Sequence, residues 1–562
     1  MRPGSLLLYA LLGAAAPLAA PLSAQATGGT LDQEYRFDGA GPTSELGYAA
    51  AGAGDVDGDG FADLIVGDPK ASPSGIFMAG SAFVYSGATG GLILQLDGLA
   101  AFDDFGFSVA GAGDVDGDGL ADLLVGAPAA DPEGRTDAGS AFVFSGATGS
   151  LLYQVDGSAA GDALGSSVSA ISDLDGDDFN DLLIGAPLAD PNGLSKAGTA
   201  FVLSGNSGLP LWHLDGTAAS DRFGASLSRA GDVDGDGQED LLLGAGFASA
   251  TGAAQAGAAL VFSGATASQI LRVDGQPADL GFGRAIALAG DLDGDGFSDF
   301  LVGAPFAVPG GLSDVGSAFL YSGATGGLLR RVDGLESSSW FGWSVAGPGD
   351  VDADGTPDLL VGAPFAAPNS SFIVGSAFVF SGASGDPIRR FDGDSRDLDL
   401  GFSVSGAGDV DADSRPDLIV GALNGSAFVF HFSPILFASE EVLWDAPDGR
   451  IDYTIDFPVE DAGAGYQVLL SAHGTGPTVW NGLTIPLQND NLFRAAAHGN
   501  TPVQAVAFQG ILDSQGDALA QIFLPLQALP LRLQGRRVAL NLAVINSNFD
   551  FSSVARNLRL TQ

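Results

Sequence analysis

An aspartate-rich loop recurs seven times along the chain, at a fixed interval of 59 residues. In its second copy, positions 1, 3, 5 and 9 of the loop are Asp114, Asp116, Asp118 and Asp122. Calcium takes roughly six to eight oxygen ligands, and EF-hand loops supply them from positions 1, 3 and 5 and from a backbone carbonyl at position 7. The loop therefore predicts a calcium site, in which the carbonyl of Leu120 joins the carboxylates and Asp122 completes the ligand set.

All seven copies keep this pattern, so we expect several bound calcium ions, up to seven. In each copy the expected ligands are the four aspartate side chains and the backbone carbonyl of the residue at position 7. In chain order these residues are Asp55, Asp57, Asp59, Phe61 and Asp63; Asp114, Asp116, Asp118, Leu120 and Asp122; Asp173, Asp175, Asp177, Phe179 and Asp181; Asp232, Asp234, Asp236, Gln238 and Asp240; Asp291, Asp293, Asp295, Phe297 and Asp299; Asp350, Asp352, Asp354, Thr356 and Asp358; Asp409, Asp411, Asp413, Arg415 and Asp417.

The copies differ at the positions that bend the loop. Position 6 is glycine in five copies, which makes a tight bend easy, but it is Asp178 in the third copy and Ser414 in the seventh. Position 4 is Ala353 in the sixth copy and Ala412 in the seventh. Because the seventh copy departs from glycine at both positions, we expect its calcium site to be the weakest.

Aspartate–glycine clusters also make good turns without any metal. A turn needs one or two such residues, however, and does not require four carboxylates in each of seven copies. Position 12 of the second copy is Val125 rather than glutamate, and apolar residues typical of a strand follow the loop. We therefore interpret the loop as a metal-binding connection between two strands and not as a helix-flanked EF-hand.

Each 59-residue repeat contains four segments typical of β-strands. In the second repeat these segments are residues 108–113, 122–126, 139–145 and 151–157. Four short strands in each repeat are typical of one blade of a β-propeller, whose repeats are commonly about 40–50 residues long. The predicted fold class is therefore all-β, with a seven-bladed β-propeller over residues 31–432.

The two ends of the repeat array complement each other. A strand-like segment ending in Asp-Gly recurs every 59 residues, and its first copy, residues 35–39, precedes the first aspartate loop. The last repeat, which ends near Phe432, lacks this segment. We therefore predict that the N-terminal strand completes the last blade and closes the ring, because closure removes two exposed sheet edges.

The residues that flank the loop carry a family resemblance. Phe105-Gly106 precedes the loop and Gly126-Ala127-Pro128 follows it, and the same motifs stand at Phe282-Gly283 and Phe341-Gly342 and their partners, with degenerate versions in the other four copies. This pattern resembles the FG-GAP repeat of integrin α-subunit propellers over about residues 31–432. The resemblance implies a seven-bladed propeller with calcium between the first two strands of its blades. Propellers of that family carry the metal loop in only some blades, whereas this chain carries it in all seven.

The segments on either side of the repeats have a different character. Residues 1–26 begin with Arg2, continue through an apolar stretch and end in Ala24-Gln25-Ala26, which is typical of a secretory signal peptide cleaved after Ala26. Residues 436–562 have no echo of the repeat but contain alternating segments, so we expect a smaller β-sandwich-like domain there. This layout is similar to that of secreted bacterial repeat proteins with a C-terminal accessory domain.

Composition excludes several classes of partner. The chain has 22 basic and 68 acidic residues, a formal net charge of −46, which argues against binding nucleic acid or anionic lipid. The aspartates at positions 1, 3, 5 and 9 of the seven loops make up 28 of the 68 acidic residues, so we expect divalent cations to offset their repulsion. There is no cysteine, and no uninterrupted apolar run after the signal segment is long enough to span a membrane.

These features favour a secreted or cell-surface calcium-binding propeller that acts as a binding or adhesion module for a protein or carbohydrate ligand at the cell surface or in the matrix. The alternative is an extracellular propeller enzyme, a hydrolase or lyase, in which calcium has a structural role. The four histidines form no zinc-binding motif, and the variable loops hold acidic and basic residues in no evident cluster: Asp103, Asp104, Asp162, Asp221 and Arg222.

Variation between repeats concentrates in two loops, one before each Phe-Gly and one after each Gly-Ala-Pro. Because strands alternate in direction within a blade, both loops should emerge on the face opposite the aspartate loops. We expect a ligand to bind there, with Trp340 and Phe341 offering apolar contact area. Surface loops also vary simply because they tolerate change, and this alternative stays open.

Overall fold

The described part of the chain consists almost entirely of β-strands. A computed structural model describes residues 33–431, except 42, 250–253, 353, 369–372, 394–397 and 413, and beyond residue 431 it describes only short strands between 436 and 559. Within these ranges the helical segments are short 3-10 turns: Pro73–Gly75, Pro132–Gly134, Pro191–Gly193 and Pro309–Gly311. No helix among the described residues has the length and hydropathy needed to cross a membrane.

Residues 33–430 form seven four-stranded antiparallel sheets, and each sheet is one blade of a propeller. The first six blades each use four consecutive strands, in spatial order from the inner to the outer strand. Blade 1 has β2 (Ala49–Gly54), β3 (Asp63–Asp68), β4 (Ser81–Tyr85) and β5 (Leu92–Asp97); blade 2 has β6 (Ser108–Gly113), β7 (Asp122–Ala127), β8 (Ser140–Phe144) and β9 (Leu151–Asp156); blade 3 has β10 (Ser167–Ile171), β11 (Asp181–Ala186), β12 (Thr199–Leu203) and β13 (Pro210–Asp215). Blade 4 has β14 (Ser226–Gly231), β15 (Asp240–Ala245), β16 (Ala258–Phe262) and β17 (Gln269–Asp274); blade 5 has β18 (Ala285–Gly290), β19 (Asp299–Ala304), β20 (Ser317–Tyr321) and β21 (Leu328–Asp333); blade 6 has β22 (Ser344–Gly349), β23 (Asp358–Ala363), β24 (Ser376–Phe380) and β25 (Pro387–Asp392).

The seventh blade is built from both ends of the repeat array. It contains β26 (Leu400–Gly408), β27 (Asp417–Ala422) and β28 (Ser426–Phe430), and its outer strand is β1 (Gln33–Asp38). Strand β1 pairs with β28 in antiparallel register, with Asp38 opposite Ser426 and Phe37 opposite Ala427. The predicted closure of the ring by the N-terminal strand is therefore confirmed.

The inner strands β2, β6, β10, β14, β18, β22 and β26 contact one another in a closed ring around the propeller axis. The aspartate loops join each inner strand to the second strand of its blade, so all of them emerge on one side, which we call the aspartate face. The Phe-Gly motifs lie at the other end of the inner strands, on what we call the opposite face.

The hydrophobic core lies between adjacent blades. The second strand of each blade is buried along its whole length, as in β7, and the phenylalanine of each complete Phe-Gly motif packs beside it. Phe105 makes an edge-on ring contact with Phe142 at 5.5 Å. Phe341 occupies the same place in blade 6 and is only 2% exposed. The expectation that Phe341 offers ligand contact area is therefore wrong, because its ring is part of the core between blades.

Beyond the propeller, the structure describes eleven strands. They are β29 (Leu436–Ala438), β30 (Arg450–Asp456), β31 (Gly465–Ser471), β32 (Thr478–Trp480), β33 (Leu483–Ile485), β34 (Gln504–Val506), β35 (Gln509–Ile511), β36 (Asp517–Phe523), β37 (Ala539–Asn546), β38 (Phe551–Ser552) and β39 (Leu558–Arg559). They pair in the orders β29-β30-β36-β34 and β35-β31-β37-β38, with β39 also beside β37 and β32 paired with β33. The packing of these sheets as a β-sandwich stays a prediction.

Candidate metal centres and the opposite face

The aspartate at position 1 organises each loop. In the second copy, Asp114 Oδ1 accepts a hydrogen bond from the backbone N–H of Gly117 at 2.7 Å, and its Oδ2 accepts one from Gly119 at 2.9 Å. Both glycines have positive φ, 81° and 89°, which lets the backbone wrap around the carboxylate. Asp178 and Ser414, which replace the second glycine in two copies, take the same conformation at φ 71° and 67°.

The aspartate at position 9 is a buried anchor. Asp122 is 0% exposed, and its Oδ2 accepts hydrogen bonds from the backbone N–H groups of Val115 and Asp116 at 2.8 and 3.1 Å. Its Oδ1 accepts from Gly146 at 2.9 Å, in the turn between the third and fourth strands. The same carboxylate therefore faces the metal loop and holds that loop to a neighbouring turn.

Burial of the position-9 carboxylates perturbs their ionisation. Desolvation raises the pKa of Asp63, Asp181, Asp240 and Asp299 to about 6, and that of Asp358 to about 7, although their backbone hydrogen bonds oppose the shift. A nearby carboxylate also raises these pKa values, such as Asp352 beside Asp358. In these loops several carboxylates lie close together, and burial disfavours ionisation of the position-9 carboxylate unless a cation is bound.

The structure brings the predicted ligands together in groups. In the first four loops, carboxylate oxygens from positions 1, 3 and 9 lie within 4.8 Å of one another, and in the fifth loop the group is formed by positions 1, 3 and 5. These triads are Asp55, Asp57 and Asp63; Asp114, Asp116 and Asp122; Asp173, Asp175 and Asp181; Asp232, Asp234 and Asp240; Asp291, Asp293 and Asp295. Converging carboxylate oxygens suit a hard divalent cation such as calcium. The remaining members of the expected ligand sets stay predictions.

The position-5 aspartates have a local partner as well. Asp59 Oδ1 accepts a hydrogen bond from the backbone N–H of Phe61 at 2.9 Å, and Asp118 accepts one from Leu120 at the same distance. Equivalent bonds join Asp236 to Gln238 and Asp354 to Thr356. The residue at position 7 is therefore held against the loop by its N–H.

In the seventh loop one expected ligand, Asp413, lies outside the described residues. Asp409 Oδ2 accepts from the backbone N–H of Ser414 at 3.0 Å, and Asp417 Oδ2 accepts from Val410 at 2.8 Å. Asp409 Oδ1 is buried and has no hydrogen-bond partner among the described residues. A buried carboxylate oxygen without a donor is costly, and a bound cation would satisfy it.

Neighbouring loops are joined around the aspartate face. The backbone N–H of Ala121, at position 8 of the second loop, donates to the carbonyl of Asp55 in the first at 2.9 Å. Glu239 in the fourth loop accepts from the backbone N–H of Ser172 in blade 3 at 2.9 Å. Some neighbouring loops are therefore hydrogen-bonded to each other, which the repeat pattern alone does not reveal.

On the opposite face, the two variable loops of neighbouring blades meet. Lys70, after the second strand of blade 1, forms an ion pair with Asp104, before the Phe-Gly of blade 2, at 2.7 Å. Trp340 lies half-buried between the rings of Phe306 and Phe365, at centroid distances of 5.2 and 4.3 Å. The expectation that both loops emerge on this face is consistent with these contacts.

Sequence reasoning missed a second ring of residues on this face. The residue directly after each Phe-Gly, or after its degenerate copy, lies immediately before an inner strand or, in the seventh blade, within it. Because the inner strands surround the propeller axis, these residues lie around the mouth of the central channel. These residues are Tyr48, Phe107, Ser166, Ala225, Arg284, Trp343 and Phe402. They recur at the same 59-residue spacing as the Phe-Gly motifs, which is the signal in the sequence that relates them.

Six repeats match the FG-GAP repeat family, at residues 46–85, 105–144, 164–203, 223–262, 282–321 and 341–375. This chain is an FG-GAP repeat protein. The seventh blade, which begins with Leu400-Gly401, lies outside the matched residues although its strands complete the ring.

The FG-GAP repeat protein is distantly related to the N-terminal propellers of integrin α subunits. It is 32% identical to integrin alpha-7 of Rattus norvegicus over 201 residues, which cover 34% of this chain and 17% of the relative. It is 33% identical to integrin alpha-V of Gallus gallus over 274 residues, covering 47% of this chain and 20% of that protein. It is 30% identical to integrin alpha-3 of Cricetulus griseus over 280 residues, covering 42% and 25%. The matched segments thus span a quarter or less of each of these relatives.

Proposed function

We propose that this protein is a secreted or cell-surface calcium-binding propeller that acts as a binding or adhesion module for a protein or carbohydrate ligand. One observation carries the proposal: a closed ring places converging aspartate triads on one face and loops that differ between blades on the other. Uniform sites suit a structural task, whereas selective binding requires variation.

The aspartate face suits the structural task because each site links two parts of its blade. The position-9 aspartate faces the metal loop and also accepts a hydrogen bond from the turn between the third and fourth strands, as Asp122 does from Gly146. Calcium in such a site would hold the first two strands and fix this link. Metal bound only by the folded state stabilises that state.

The opposite face suits recognition because its loops carry large side chains that differ from blade to blade. Trp340, Phe306 and Phe365 form one aromatic cluster there. Phe77 and Phe102 form a second, exposed by 57% and 58%, between blades 1 and 2. Aromatic side chains of this kind dominate binding energy at protein surfaces.

Two further predictions belong to this proposal. Residues 1–26 are a signal peptide that directs export, and residues 436–562 form a β-sandwich-like accessory domain. Both lie largely outside the described residues. They are supported by the small-residue cleavage motif at Ala24-Gln25-Ala26 and by the strands beyond residue 435.

The test uses residues 27–562 on arrays of matrix proteins and glycans, with calcium and with a chelator. We expect saturable binding that requires calcium. In a matched variant, loops 129–137 and 306–314, which are equivalent in blades 2 and 5, exchange places while every aspartate loop is kept. Loss of binding in this variant supports the proposed face. Unchanged binding would exclude these two loops and leave the rest of the opposite face, or residues 436–562, as the ligand site. No binding by the unaltered chain would contradict the proposed function.

A further inference from the structure

The mouth of the central channel on the opposite face is asymmetric. Seven residues, one from each blade, surround it, and all of them are partly exposed: Tyr48, Phe107, Ser166, Ala225, Arg284, Trp343 and Phe402. Four consecutive blades, 6, 7, 1 and 2, contribute large aromatic side chains. Blades 3 and 4 contribute small ones, and blade 5 contributes an arginine.

The four aromatic residues form a continuous wall, which we call the aromatic arc. Trp343 contacts Phe402 at a centroid distance of 5.4 Å, Phe402 contacts Tyr48 at 5.1 Å, and Tyr48 contacts Phe107 at 4.8 Å. Across the mouth, Ser166 and Ala225 leave space because their side chains are short. The arc therefore presents partly exposed ring surfaces at the channel mouth, opposite the two short side chains.

Arg284 lies at one end of the arc. Its guanidinium carbon is 3.6 Å from the centroid of the Trp343 ring, and its Nε is buried without a hydrogen-bond partner among the described residues. None of the ion pairs found in the described ranges includes this guanidinium. A buried cationic donor with no acceptor is costly, even in contact with an aromatic ring.

Among the described residues, no acidic group acts as a counter-charge to Arg284. The nearest titratable neighbours that affect it are Tyr48, whose pKa burial raises to about 12, and a second arginine, Arg222. Tyr48 is therefore neutral near pH 7. Arg222 lies 4.3 Å over the ring of Phe247 and repels Arg284. Of the acidic groups nearby, Glu45 and Asp104 act on Tyr48, and Asp104 is already paired with Lys70.

We propose that this mouth binds an acidic glycan through one uronate unit, whose carboxylate pairs with Arg284 while the apolar face of its sugar ring lies against the aromatic arc. Arginine and carboxylate form strong charge-assisted hydrogen bonds. A mostly aromatic wall with one well-placed charged group is the usual composition of a small-ligand site. This inference rests on the proposed binding function and assigns its ligand class and its place.

A ring-shaped ligand fits the geometry better than a peptide carboxylate. The arc offers ring surfaces from four blades around a single cation, and the small residues Ser166 and Ala225 leave room for a flat body. A peptide would need backbone hydrogen-bonding partners at the mouth. The seven residues that line it supply only four polar side-chain groups, on Arg284, Tyr48, Ser166 and the indole N–H of Trp343.

The experiment measures binding of short uronate oligosaccharides by calorimetry, with calcium at saturation. The probes are tri-galacturonate and tri-mannuronate, and each is compared with its methyl ester, which keeps the rings and removes the charge. We expect at least one of the acids to bind at least tenfold more tightly than its ester. Arg284→Gln should abolish this preference, whereas Arg229→Gln, whose side chain pairs with Glu239 on the aspartate face, should leave it unchanged.

A second variant keeps the test sharp if Arg284→Gln fails to fold. Phe107→Ala removes the far end of the arc and should weaken binding of the preferred acid and its ester alike, because it removes ring contact and not charge. Equal affinity for acid and ester, or an unchanged preference in Arg284→Gln, would overturn the inference. So would binding of neither acid. Retained binding to another array ligand in Arg284→Gln would leave the proposed function standing while this inference fails.

Discussion

The backbone N–H of Gly106 donates to the carbonyl of Gly126 at 3.0 Å, so the two halves of the repeat's motif are hydrogen-bonded to each other. The same bond joins Gly165 to Gly185 and Gly342 to Gly362, at 2.9 and 3.0 Å. The first glycine has positive φ, and the second packs against the next blade. Together, the Phe-Gly and Gly-Ala-Pro motifs therefore hold the second strand of one blade against the start of the inner strand and against the neighbouring blade.

We expect Gly106→Ala to destabilise the propeller by more than about 2 kcal/mol. Its φ is 87°, and an added Cβ would lie 2.4 Å from the carbonyl oxygen of Ser81. The matched control is Gly134→Ala, with φ 79° and no atom within 4 Å of the added Cβ. Chemical unfolding should show the larger loss at Gly106, and equal losses would show that the close approach is unimportant.

Calcium removal should lower the melting temperature markedly. A metal that binds only the folded state stabilises it by about 2.7 kcal/mol per site at a hundredfold excess over its dissociation constant. Differential scanning calorimetry in millimolar calcium and in excess chelator measures the difference. Magnesium at the same concentration controls for ionic strength and charge. An identical melting temperature in calcium and in chelator would refute structural calcium sites.

Asp116→Ala should remove one ion and leave the ring folded. Asp116 belongs to the triad with Asp114 and Asp122, and the other loops keep their own carboxylates. Glu133→Ala, which also removes one exposed negative charge, is the control. Native mass spectrometry counts the bound ions. We expect one fewer calcium in Asp116→Ala than in Glu133→Ala, and the same number in both would exclude Asp116 as a ligand.

Deleting residues 27–38 should cause self-association, because it exposes the edge of β28. Phe37→Ala is the control, since it keeps the backbone pairing of β1 and removes only the ring that stacks on Tyr85 at 3.9 Å. That variant should lose about 3–5 kcal/mol of stability but stay monomeric. Light scattering after size-exclusion chromatography distinguishes the two, and a monomeric deletion variant would contradict an edge-protecting role for β1.

The 59-residue period predicts the blades, the aspartate loops and the ring closure, because a repeated sequence must repeat its local structure. It does not predict what side chains from different blades do when they converge. The sequence predicts Phe341 as a surface residue beside Trp340, but its side chain is buried in the core between blades. Asp122 looked like a metal ligand alone, yet it also anchors the turn at Gly146.

In residues 436–562 the pairing of strands cannot be predicted from the sequence, for a different reason. Alternating segments such as residues 451–457 predict individual strands, and β30 lies there. Without a repeat, nothing in the sequence fixes which strands pair, because pairing depends on contacts between distant residues. The channel mouth is a similar case, because the Trp343 ring that contacts Arg284 comes from another blade.

The pairing of β1 with β28 also sets an order for folding. The Asp38 side chain meets Ser426, 388 positions further along the chain, and no disulfide can hold the two ends together because the protein has no cysteine. During synthesis or export, β1 therefore has to wait unpaired until nearly the whole propeller has emerged. The early blades must therefore form an open arc, and the ring closes last, when β1 pairs with β28.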